Sequence, residues 1–89
     1  MNEKAIELYN QLNEGRKNIV KLIALGYTSE EIAKKTGYAY HTIGSFRKEI
    51  YKCIQVNTDQ QVTAFAISIG IVTAEEVLMA KENDKDLWP

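Results

Sequence analysis

The residues best equipped for chemistry crowd the middle of the chain. Across residues 34–56, Lys34, Lys35, Arg47, Lys48 and Lys52 stand against a single acid, Glu49, a balance of +4. Residues 1–33 carry four basic and five acidic side chains, and residues 57–89 carry two against six. The formal charge of −1 therefore hides a basic block between a near-neutral and an acidic one, an asymmetry that bears on partner surfaces rather than on fold. Between the cations lie Tyr40, His41, Thr42 and Ser45, groups that can hydrogen-bond phosphate oxygens or the edges of bases. Other chemistry finds little support. The one cysteine, Cys53, has no Cys or His at ligand spacing, so neither a metal nor a cofactor is expected. No paired carboxylates, nucleophile–base spacing or phosphate-binding loop can be assigned, and an enzyme is not expected.

Side chains can form such a face only if an element holds them in register, and the apolar pattern is helical throughout. Eighty-nine residues make one domain with one modest core, and the single proline, Pro89, leaves helix interiors unbroken. Ala5, Ile6, Leu8, Tyr9 and Leu12 recur at spacings of three and four, predicting an amphipathic helix over residues 2–12 with Glu3 and Glu7 suited to its positive end. Asn13 can cap a second helix, with a break at residues 13–15. Ile19, Val20, Leu22, Ile23 and Ala24 then make a broad apolar face ending at Gly26. Thr28 followed by Glu31 forms a capping-box pattern, and it opens a short helix with Ile32 and Ala33 inward that Gly37 closes. The next helix, about 40–54, sets Ile43, Phe46, Ile50 and Ile54 on one stripe. Opposite them fall His41, Gly44, Ser45, Lys48 and Lys52.

Two helices joined at Gly37, the second with an apolar inner stripe and a polar outer one, have the form of a helix-turn-helix. In that motif the second helix enters the DNA major groove. Residues 26–33 (Gly-Tyr-Thr-Ser-Glu-Glu-Ile-Ala), Thr42-Ile43, Ile50 and the Ile54-Gln55-Val56 exit resemble the DNA-binding domain of the LuxR/GerE family of bacterial regulators. The similarity extends from Leu12 through Gln60-Gln61-Val62 and Ala66 to Gly70-Ile71-Val72. It implies an all-α, tetrahelical helix-turn-helix domain at residues 13–72, with an N-terminal helical extension at 1–12 and a short C-terminal helix and acidic tail at 73–89. It also implies a stand-alone, GerE-like transcriptional regulator that binds double-stranded DNA as a homodimer. His41, Gly44, Ser45 and Lys48 would face bases. Thr28, Ser29, Lys34, Lys35, Tyr40, Thr42 and Lys52 would face phosphates. Four residues depart from the family pattern: Gly44 where a basic residue is common, Phe46 in place of His, Cys53 in place of Lys and Arg16 in place of Glu.

The helix expected at about 60–69 is nearly all apolar, so two of its faces should be covered, one by the core and one by a partner copy through Val62, Phe65, Ala66 and Ile69. Arg47 is expected to bury its stem and pair with a carboxylate on the preceding helix. Tyr38 is read as packing at the turn. Thr73 to Glu76 repeats the capping box and predicts a last helix to about Lys81, followed by a frayed polar stretch from Asn83 to Asp86. Trp88 has no assigned role. A second function suits the same residues: an interaction module that kept the fold, lost a cation at Gly44, and binds another regulator or RNA polymerase. No apolar run approaches the length of a membrane span, and one cysteine fits a reducing cytoplasm.

Overall fold

A computed structural model describes residues 3–84, with side chains to Ala80. Trp88 and the tail from residue 85 lie outside the described residues. Among the described residues are six α-helices and no strand: α1 (Glu3–Asn10), α2 (Glu14–Ala24), α3 (Ser29–Thr36), α4 (Tyr40–Ile54), α5 (Asp59–Ile69) and α6 (Ala74–Asp84). None is long and apolar enough to cross a membrane.

Local chemistry explains most boundaries. The break after α1 falls at residues 11–13 rather than 13–15: the Asn13 side chain accepts a hydrogen bond from the Arg16 amide at 2.9 Å and so starts α2 at Glu14, with Gly15 inside the helix. The first helix ends earlier than expected, at Asn10, and Leu12 reaches the core from the connecting turn. Thr28 and Glu31 form the reciprocal capping box of α3, at 3.2 and 2.8 Å. Gly37 then stops that helix at φ 84°, a left-handed conformation that costs glycine little and lets the chain turn sharply into α4. Thr73 and Glu76 cap α6 in the same reciprocal way. That last helix continues to Asp84, about one turn past the expected end.

The core is one cluster, and its buried members run from Leu12 to Val72. The central helix is α2, whose Ile19, Val20, Ile23 and Ala24 meet α3, α4 and α5. Ile32 enters from α3, Ile43, Ile50 and Ile54 from α4, and Val62 and Ala66 from α5. Each buried isoleucine contributes about 1.5–3 kcal/mol relative to exposure. The outer helices add margins rather than centre. From α1, Leu8 and Tyr9 are half-buried against α4 and α5, and the Cys53 thiol donates to the Leu8 carbonyl at 3.4 Å. From α6, Val77 and Ala80 lean on the core, and the Tyr27 hydroxyl lies 3.5 Å from the Ala80 carbonyl.

Candidate nucleic-acid interface

Burial of Ile43, Ile50 and Ile54 fixes the rotation of α4 about its own axis and thereby selects what it shows to solvent. At 3.6 residues per turn, His41, Ser45, Lys48 and Lys52 fall within an arc of about 60° on the side away from that apolar stripe. All four are exposed. Lys48 and Lys52 have no ion-pair partner among the described residues, so both amines are available to an outside anion. Ser45 lies with its hydroxyl 3.4 Å from the His41 carbonyl one turn back, leaving its oxygen able to accept. Gly44 is half-buried beside this arc, and a Cβ added there would meet nothing within 4 Å. No packing inside the chain therefore requires glycine at that position.

The start of α4 differs from the other helix starts for which caps are described. Asn13, Thr28, Thr58 and Thr73 each accept from an amide of the first turn, whereas Ala39 offers no side chain to α4. The first turn of α4 also holds no acid. Its end thus keeps the positive character of a helix N-terminus, beside Tyr40 at 65% exposure and the half-buried Thr42.

Residues expected to hold phosphate are not all gathered there. Thr28 and Ser29 begin a helix whose own Glu30 and Glu31 occupy the first turn, and the Thr28 oxygen is already engaged as a cap. That end is acidic and satisfied from within. Lys34 is exposed on α3, while the Lys35 amine sits 4.7 Å over the Tyr27 ring. Lys35 also lines a groove of about 650 Å³ with Gly15, Asn18, Leu22, Thr36 and Tyr38, between α2 and the turn. The expected phosphate set therefore divides between the α4 face and surfaces on α3.

Arg47 is not part of the exposed face. Its side chain is mostly buried and binds Asp59 through Nη1, and the Tyr51 hydroxyl donates to the other Asp59 oxygen. The carboxylate belongs to the following helix, α5, which corrects the expectation that it would lie on the preceding one. Asp59 begins α5 rather than closing a loop, so one side chain joins α4 to the start of its neighbour. Burial and the bond to Asp59 raise the Tyr51 pKa above its ordinary value of 10.0.

A second polar link joins α4 to α2. Arg16 Nε donates to Glu49 Oε2 at 2.7 Å, and its guanidinium carbon lies 4.2 Å from the centre of the Phe46 ring. Tyr38 meets the same ring edge-on, with centroids 5.0 Å apart and planes at 89°. Tyr38 thus packs at the turn as read from the sequence, and Phe46 lies at the margin of the core. The bond to Glu49 holds Arg16 more firmly protonated than usual. Nothing in the spacing of Arg16 and Glu49 marks them as partners; only the crossing of α2 and α4 brings them together.

The expected self-association face needs correction. Val62 and Ala66 have 0% exposure and belong to the intrachain core, where no partner can reach them. Phe65 and Ile69 are half-buried. The outer face of α5 is built instead from Gln60, Gln61, Ala64, Ile67 and Ser68. Comparison of the chain with protein-family models, with curated proteins and with solved structures finds no match.

Proposed function

We propose that the chain is a sequence-specific, double-stranded-DNA-binding transcriptional regulator that acts as a dimer, with α3 and α4 as a helix-turn-helix within a tetrahelical domain and α4 in the major groove. One observation carries this reading: the arc of His41, Ser45, Lys48 and Lys52, exposed along a helix whose opposite side is locked into the core. Lysine and serine are residues that read base edges. The uncapped, acid-free start of α4 supports it, since helix N-termini hold phosphates. In a symmetric dimer the two copies of α4 would meet successive major grooves about 34 Å apart on a pseudo-palindrome.

The test is a selection from random duplexes at moderate salt, followed by titration of the enriched sequence. An enriched palindrome is expected, with affinity falling steeply as salt rises. Lys48→Ala should weaken binding; if Lys48 holds a phosphate, the log–log salt slope should fall by about 0.9. If Lys48 reads a base, specificity should relax at one position, by about 1–3 kcal/mol. Failure of the full-length chain to bind any duplex at low salt would overturn the proposal. It would favour an interaction module for another regulator or RNA polymerase, a reading supported by Leu78 and Met79 of α6, which are 75% and 46% exposed.

A further inference from the structure

Glu49 is the one acid on α4, and it sits at the edge of the arc that carries the cations. On a helix the polar ones among its neighbours at three and four residues are Lys52 and Ser45, so an unrestrained Glu49 carboxylate can swing toward either. There it would neutralise Lys52 and repel a phosphate approaching the face. The structure holds it elsewhere. Arg16, from α2 and outside the helix-turn-helix pair, draws the carboxylate to itself at 2.7 Å. Arg16 is in turn fixed over Phe46, with Tyr38 edge-on to that ring. Its side chain is 26% exposed against 54% for Glu49, so the better-buried partner sets the geometry of the pair.

We infer that Arg16 is a positioning residue for the α4 face: by holding the Glu49 carboxylate toward α2, it keeps Lys52 free to meet a polyanion. The role rests on the DNA-binding reading above. It requires no contact between Arg16 and DNA; the effect passes through Glu49.

Arg16→Met tests this, because methionine keeps an apolar stem over Phe46 while removing the cation. With the selected duplex, Arg16→Met should weaken binding by about fivefold, the effect of one unit charge at about 4 Å in water. Glu49→Gln alone should change affinity little. Arg16→Met with Glu49→Gln should return to within about twofold of the original chain, the non-additivity that a double-mutant cycle reads between residues in contact. Arg16→Lys, which retains the cation, should bind like the original chain. A double variant as weak as Arg16→Met would overturn the inference, because Arg16 would then act by packing or by touching DNA. So would an Arg16→Lys chain that melts normally but binds no better than Arg16→Met, and this arm decides the matter if Arg16→Met does not fold. If the original chain binds and Lys48→Ala weakens it while Arg16→Met does not, only this inference falls. If the original chain binds no duplex, the DNA-binding reading falls and the inference with it.

Discussion

Asp59 accepts from two side chains of α4 at once, the Arg47 guanidinium and the Tyr51 hydroxyl. The consequence is legible at alkaline pH. Tyr51 has a folded pKa above that of the unfolded chain, so the stability it contributes is complete below about pH 10 and is lost as pH rises through the folded value. Chemical denaturation measured between neutral pH and pH 11 should show a decline that is shallower in Tyr51→Phe. Some decline should remain, because the Tyr9 hydroxyl is also shifted upward by burial and by Glu14. The pairing was not legible in the sequence. Asp59 stands twelve positions beyond Arg47 in a stretch that reads as polar loop, and only the return of α5 against α4 brings the carboxylate to the guanidinium.

Helix ends were the most legible elements, because their chemistry is local. Asn13, Thr28 and Gly37 each act within a few residues of themselves, and each does what its type predicts. The end of α4 falls at Ile54, as expected, but with no glycine to close it. Gln55 adopts φ 63°, and it is the one non-glycine residue with positive φ among the described residues. The next amide, that of Val56, closes the turn on the Tyr51 carbonyl at 3.0 Å. A side chain in this conformation costs about 1–2 kcal/mol, part of which glycine would return as extra freedom in the unfolded chain. Gln55→Gly should therefore stabilise the fold by up to about 1 kcal/mol, seen as a rise of about 4–8 °C in the thermal midpoint. An unchanged or lower midpoint would show that the Gln55 side chain makes a compensating contact.

At the scale of the whole molecule, α5 shows how a nearly all-apolar helix divides its labour. Val62 and Ala66 face inward, and Thr63 brings its hydroxyl within 3.0 Å of the Ala24 carbonyl at the end of α2. Ala64 and Ile67 face out, with Ile67 39% exposed. Fold and the proposed self-association are therefore separable by substitution. Val62→Ala should cost about 2 kcal/mol through lost burial and the cavity left behind, measured by denaturant unfolding. Ile67→Glu should leave the monomer folded and, if the outer face joins two copies, lower the mass seen by light scattering. A chain that is already monomeric at high concentration would remove α5 from the proposed interface.

The sequence by itself determined the helical class, the capped starts of α2 and α3, the turn at Gly37 and the inner stripe of α4. Each depends on residues close in sequence and on a period of 3.6, so each can be read without knowing what lies across the core. Tertiary structure decided which side of α5 is buried, which carboxylate meets Arg47 and where Glu49 points. It also decided which cations remain unpaired on the face of α4. Those outcomes follow from how helices cross, and a crossing brings together side chains such as Arg16 and Glu49 that no local pattern connects.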